Sequence, residues 1–344
     1  MSLRGLLALS CICISATLSV LRLNQCRRIT EALLFRDFHV SLEIPNDRLC
    51  PPVRVRLNYI LWLEDILQAA RLAEPLDTPP EAVTGIDVGT GASAIYPLLG
   101  CRSNPSWNFV ATDVDEKSLH HARLNVQQNC LQERISVIAS DPAGPILLHL
   151  FNLENRIRDP RAKYDFTMCN PPFYSSRKDV LHSAEVKEFE PTAVCTGADV
   201  EMITPGGEAN FVCTMVRESL ETRAQCRWYT SMLGKLASLT DVVALLRAET
   251  IDNYACTEFV QGQTRRWAIA WSFGDVRLPD VRFRPRVCLR KFRPLASTPT
   301  AYIPHQQPRS PKPHATAQHA PAGFSRGVLH GAPRDSPCTR LVRY

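Results

Sequence analysis

The sequence predicts an α/β domain built around a parallel, doubly wound sheet. Between residues 24 and 275, apolar segments alternate in strand-like and helix-like patterns and the connections between them are short. A glycine turn closes the first strand, and a carboxylate ends the next. In an open sheet of this kind the ligand lies at the carboxyl ends of the strands.

The stretch "RLNYILWLEDILQAARL" from Arg56 has apolar residues at helical spacing and predicts a helix packed beside the sheet. "AVTGIDVGTGAS" reads as a strand that ends in a glycine turn and hands over to a helix. "NFVATDVD" is a second strand, "EKSLHHARLNVQQN" a helix, "RISVIAS" a third strand and "YDFTMC" a fourth. "GGEANFVCTMVRESLETR" predicts a helix and "CRWYTSMLG" a strand. "CTEFVQG" and "TRRWAIAWSF" are two more strands separated by a turn, and they complete one sheet rather than build a second domain.

Composition divides the 344 residues into three parts. Residues 1–23 hold the apolar run "GLLALSCICISATLSVL" after Arg4, which reads as a signal-like or non-native extension or as a short anchor. Residues 24–275 form the α/β domain. In residues 276–344 the apolar pattern collapses, 11 of the 26 prolines fall there, and disorder is expected. That tail carries 13 Lys and Arg against 2 Asp and Glu, so the basic sign of the chain comes from it while the body is mildly acidic. Either it is a solvated linker or it contacts phosphates without sequence preference. Thirteen cysteines, an odd number with no Cys-x-x-Cys pair, argue against a disulfide framework and against zinc; reduced, mostly buried thiols and no metal are expected.

The glycine turn brings Asp87, Gly89 and Gly91 to a strand end, where glycines let a ligand approach the backbone. The third glycine of a dinucleotide fingerprint is missing, so a tight turn alone remains a fair reading of these residues. Asp113 at the end of the next strand changes that balance, because a carboxylate there can accept both ribose hydroxyls; its plain alternatives are a solvated strand-end acid and a helix cap before Ser118. The two features together favour a cofactor containing adenosine.

"YDFTMCNPPF" supplies the chemistry. The side-chain oxygen of Asn170 and the carbonyl of Pro171 are two acceptors that can converge on one NH2 group. Pro171 and Pro172 fix the backbone and remove competing donors, and Phe173 offers a face for a planar base. Such a site suits an amine conjugated to an aromatic or amide system, whose lone pair becomes nucleophilic as the two acceptors localise it. The matching electrophile is the methyl group of S-adenosylmethionine, and transfer then needs positioning and electrostatics rather than a strong base. The plain alternative is an Asn-Pro turn with Phe173 in the core.

"VRLNYI", "GIDVGTGASAIYPLLG", "DFTMCNPPF", "RWYTSMLGK" and "QGQTRRWAIAWSF" resemble the methyltransferase-like protein sixteen family, and more distantly the bacterial adenine-N6 methyltransferases of large-subunit ribosomal RNA. The resemblance covers about residues 24–275. It implies a Rossmann-like class I methyltransferase fold with a mostly parallel seven-stranded sheet and helices on both faces. It further implies methylation of adenine N6 in a structured RNA, with U6 small nuclear RNA or a similar hairpin as substrate and S-adenosylmethionine as cofactor. On that resemblance Arg56 pairs with the cofactor carboxylate, where the residues alone favour an Arg lying beside Trp62 or Leu57 with its charge in water. Gly89 and Ser93 line the methionine part, Asp113 the ribose, and Asn170 with Phe173 the target adenine. A further cofactor contact belongs to the loop after the third strand, "SDPAGPILLHLFN", without an assigned residue.

Two departures stand out. The loop "YSSRKDVLHSAEVKEFEPTAVCTG" carries only Arg177, Lys178 and Lys187, where the family is rich in arginine, and residues 1–23 replace the family's basic amino-terminal arm. The competing readings are a ribosomal RNA methyltransferase, a DNA or protein-glutamine methyltransferase, and a catalytically weak RNA-binding scaffold with the same fold. The family implies nucleus or cytoplasm, and the apolar start leaves a membrane or secretory alternative.

Overall fold

The computed structural model describes residues 25, 27–72, 82–152, 164–185, 197–262 and 264–278. The expectations for residues 1–23, for Lys187 and for nearly all of the tail lie outside them. The chain divides after Arg284, and the described residues all belong to the first unit.

A helix over residues 27–38 (α1) leads to α2 (Val53–Leu72), which starts just after Pro51-Pro52, where proline's fixed φ suits a helix entrance. Its buried positions include Val53, Arg56, Tyr59, Ile60, Leu63 and Leu67, the three-and-four spacing of one helix face. The sheet then alternates with helices: β1 (Val83–Val88), α3 (Ile95–Ser103), β2 (Trp107–Asp113), α4 (Glu116–Gln128), β3 (Ile135–Ala139), α5 (Leu148–Asn152) and β4 (Tyr164–Cys169). After β4 come α6 (Arg177–Glu185), α7 (Asp199–Met202), α8 (Gly207–Thr222), β5 (Cys226–Leu233), α9 (Leu236–Ala248), β6 (Tyr254–Gln261) and β7 (Thr264–Trp271).

Seven strands form one sheet in the order β3-β2-β1-β4-β5-β7-β6. The first five strands run parallel, as the alternation with helices predicts. β7 alone runs the other way: it lies between β5 and β6 and is antiparallel to both, because the short turn at Gly262 joins it to β6 as a hairpin while β6 keeps the direction of the first five strands.

Side chains alternate between the two faces along each strand. On β7, Ala268 and Ala270 pack with Tyr59, Leu63 and Leu98 under α2 and α3, while Ile269 and Trp271 pack with Val212, Met215 and Val242 under α8 and α9. Helices therefore cover both faces and each face has its own core. Helix α9, whose buried Leu239, Val242 and Leu246 have helical spacing, is not among the elements read from the sequence. Of the described cysteines, Cys101, Cys169 and Cys226 are buried, Cys50, Cys213 and Cys256 are partly exposed and Cys130 is exposed, so burial is less general than expected. Among the described residues no helix is long and apolar enough to cross a membrane.

Candidate active site

The parallel register sets Val88 beside Thr112 on one side and Cys169 on the other, so β1, β2 and β4 end together. One edge of the sheet thereby gathers the glycine turn after β1, Asp113 at the end of β2, and Asn170 after β4. Gly89 and Gly91 have φ of 71° and 64°, a region that admits glycine readily and other residues at a cost. A Cβ added at Gly89 would meet nothing within 4 Å, so the space above the turn is open.

Asp113 is braced on both oxygens. Gly91 N donates to Oδ2 at 2.8 Å and Asp115 N donates to Oδ1 at 2.9 Å. Burial pushes the Asp113 carboxyl above the ordinary value. The cap of α4 falls to a different residue: Asp115 accepts from Ser118 N at 2.9 Å, which removes the helix-cap alternative for Asp113.

Asp87 is fully buried with no well-formed hydrogen bond to either oxygen; burial, aided by the Asp113 charge, raises its pKa to about 7, while the neighbouring Thr90 hydroxyl and, less strongly, Arg56 oppose the rise. The Arg56 guanidinium, 6 % exposed, donates to the Tyr96 hydroxyl and lies 5.2 Å from that ring's centre. Such burial excludes an Arg with its charge held out in water. Its Nε has no partner, nor has the hydroxyl of Thr90. Ser93 is buried in the same turn.

On β4 the motif is fixed from behind. The hydroxyl of fully buried Tyr59 shares a 2.7 Å hydrogen bond with Thr230 Oγ1 and accepts from Cys169 N at 3.4 Å. The adjacent Asn170 Oδ1 is buried and unpaired. Pro171 is buried, and Pro172 and Phe173 are partly exposed at the edge, with the Arg266 guanidinium 5.4 Å from the Phe173 ring centre. Tyr174 then pairs with the segment before α8: its N–H donates to Met202 O and its carbonyl accepts from Thr204 N, both at 2.9 Å.

Five buried side-chain atoms at this edge, on Arg56, Asp87, Thr90 and Asn170, lack a partner; only two more, on His121 and His149, do so elsewhere among the described residues. Buried polar groups are nearly always paired, and each unpaired one costs about 1–3 kcal/mol. The set holds cationic and anionic groups together, which fits a ligand with an ammonium, a carboxylate and hydroxyls. Among the described residues no group of three or more His, Cys, Asp or Glu could hold a metal.

Two segments flank the edge. Arg48, with a side chain 8 % exposed, binds Asp115 at 2.7 Å, and the next residue's N–H reaches Glu201 of α7 at 3.1 Å. In the loop after β3, Ser140 N donates to Asp113 O at 2.9 Å, and Ser140 Oγ lies 2.9 Å from His149 Nε2, which brings Ser140 beside Asp113. Of the sparse cations after the motif, Arg177 is engaged by Asp199 at 2.8 Å. Sequence reasoning did not single out Tyr59, Tyr96, Glu201, Glu208 or Arg266. Tyr59, one helical turn after Arg56 on the buried face of α2, is the one whose spacing could have revealed it.

Residues 17–275 match a family described as RNA methyltransferase. The chain belongs to that family. Within the family, it is 36% identical over 250 residues to the U6 small nuclear RNA (adenine-(43)-N(6))-methyltransferase of Drosophila pseudoobscura pseudoobscura, covering 72% of this chain and 78% of the relative. It is 39% identical over 273 residues to the RNA N(6)-adenosine-methyltransferase METTL16 of Homo sapiens, covering 78% of this chain and 46% of that one. The chain thus spans about half the length of several curated relatives it matches. Among solved structures, the catalytic domain of human METTL16 with a MAT2A 3'UTR hairpin aligns with a TM-score of 0.63 at 39% identity, covering 74% of this chain and 82% of that one. The amino-terminal domain of human METTL16 in complex with SAH aligns with a TM-score of 0.56 at 38% identity, covering 73% and 82%. The family's methyltransferase domain is Rossmann-like, and the seven-stranded sheet of this chain is that fold.

Proposed function

We propose that the chain transfers a methyl group from S-adenosylmethionine to the N6 amine of an adenosine in a structured RNA, with U6 small nuclear RNA or a similar hairpin as substrate and the nucleus as its place of action. The observation that carries the reading is the unpaired, buried Asn170 Oδ1 beside the partly exposed Phe173 ring, at the strand end next to the glycine turn. An acceptor held in that position without a donor is ready for an NH2 group carried by a flat ring.

Each residue then has a task. Asp113 accepts from ribose hydroxyls, Arg56 takes the cofactor's carboxylate, Asp87 faces its ammonium, and Gly89, Gly91 and Ser93 leave room for the chain between them. The bound cofactor supplies a methyl group on a sulfonium. Phe173 stacks the adenine, and Asn170 Oδ1 with the Pro171 carbonyl holds its amine and draws the lone pair out of the ring. As the N–C bond forms the C–S bond breaks, its electrons stay with the departing S-adenosylhomocysteine, and the amine's proton passes to water as positive charge develops on nitrogen, so the two acceptors act most strongly in the transition state. The test is transfer of labelled methyl to a hairpin with a loop adenosine, read as N6-methyladenosine after digestion. Intact protein should transfer; Asn170→Ala should lose roughly 10²–10³-fold in kcat while holding the cofactor. Equal transfer by both proteins refutes the assignment.

A further inference from the structure

Glu208, the second residue of α8, is 2 % exposed and lies outside the residues that meet cofactor or base. Its carboxylate caps the turn between β5 and α9: Gly234 N donates to Oε2 at 2.6 Å and Lys235 N to Oε1 at 2.8 Å. That turn abuts the Phe173 ring. A Cβ on Gly234 would sit 3.0 Å from Phe173 Cδ1 and 3.1 Å from Glu208 Oε2, so only glycine lets the three parts meet without a shift. The beginning of α8 also supports the motif's backbone, since a side chain on Gly207 would meet Phe173 O and Ser175 N at 3.6 Å.

We infer that Glu208 is a positioning residue for the target base: by holding the Gly234-Lys235 turn against Phe173 it sets the plane on which the adenine stacks. The inference rests on the adenine-N6 reading. A carboxylate is required because two N–H groups converge on it and each needs an acceptor. In Glu208→Gln one amide oxygen remains, and the NH2 group opposes the other N–H, so the turn must move. In Gly234→Ala the added Cβ presses on both Phe173 Cδ1, at 3.0 Å, and Glu208 Oε2, at 3.1 Å, so the ring and the carboxylate that holds the turn each give by a few tenths of an ångström. Both changes act on ring placement, and neither touches Asp113, Arg56 or Asp87.

The experiment uses the full chain and a hairpin RNA with one loop adenosine, and measures four quantities: kcat for methyl transfer, affinity for S-adenosylhomocysteine, the thermal midpoint, and the fluorescence of 2-aminopurine placed at the target position. A base stacked on Phe173 reports its environment through that fluorescence, which a merely structural change would leave linked to stability. The expected result is a kcat loss of roughly 10–100-fold in each variant, with an altered 2-aminopurine signal and with cofactor affinity held. Unchanged kcat in Gly234→Ala overturns the inference, as does a parallel fall of kcat, cofactor affinity and thermal midpoint in both variants. If the unaltered protein transfers no methyl to adenosine, the adenine reading itself fails and the inference falls with it; wild-type transfer with unaffected variants defeats the inference alone.

Discussion

Replacing Asp87 by Asn tests the electrostatics of the edge through stability. Asp87 is fully buried without a well-formed hydrogen bond, and its carboxyl moves from an ordinary 3.8 to about 7. A raised folded-state pKa means that the native protein holds a proton which the unfolded chain has released between about pH 4 and pH 7. Stability from this group is therefore fully present below pH 4, falls as pH rises, and is lost above pH 7. The span corresponds to about 4 kcal/mol, which internal relaxation reduces. Asn has the same shape and stays neutral. Urea denaturation should give near-equal stabilities for the two proteins at pH 4, and at pH 8 should favour Asp87→Asn by roughly 1–4 kcal/mol. Cofactor binding has the opposite sense, because an ionised Asp87 favours the ammonium: affinity should rise from pH 6 to pH 8 in the native protein and stay flat in the variant. A stability difference that does not change between pH 4 and pH 8 would refute the reasoning.

Neighbouring residues give further outcomes. On the proposed reading Asp113→Ala removes the acceptor of the ribose hydroxyls, so titration calorimetry should show S-adenosylhomocysteine binding weaker by roughly 10–100-fold, at about 1.5–3 kcal/mol for a charged hydrogen bond; unchanged affinity would place the ribose elsewhere. Arg48→Ala leaves Asp115 without its cation and frees the segment before α2, and urea unfolding should show a loss of roughly 3 kcal/mol; a loss below measurement error would mean the pair is idle. Deleting residues 276–344 removes 13 Lys and Arg, and if they contact phosphates the slope of log affinity for the hairpin against log salt becomes shallower. An unchanged slope assigns the tail to linker duty.

How much of the fold and site was legible in the sequence depends on the range of the interaction. β1, β2, β4, β5 and α2 could be read because periodicity and turn residues are local signals, and a strand ending in Asn-Pro-Pro-Phe is a local signal too. Gathering Asp87, Gly91, Asp113 and Asn170 at one edge also followed from sequence, since parallel strands place their carboxyl ends together. The supports did not follow. Glu201 reaches Leu49 across 152 positions, and Tyr59 meets Thr230 across 171. Glu208 caps Gly234 across 26 positions through a turn whose shape depends on packing beneath α9. Asp113 and Asp115 show the limit at shorter range: both stand at a helix start, and only the hydrogen bonds show that Asp115 caps while Asp113 faces the turn. Arg56 was placed by family resemblance, where burial alone explains why it is not a solvated surface cation.

The measurement that tests the central claim most directly is single-turnover methyl transfer to two hairpins differing in one atom group: one with adenosine at the loop position, the other with purine riboside, which has the same ring and no amine. Transfer to the adenosine hairpin, with none to the purine hairpin, is the predicted result, since on the proposed reading Asn170 and Phe173 hold a flat ring by its NH2. Equal transfer to both would mean that the methyl group goes to another atom and would contradict the role given to Asn170.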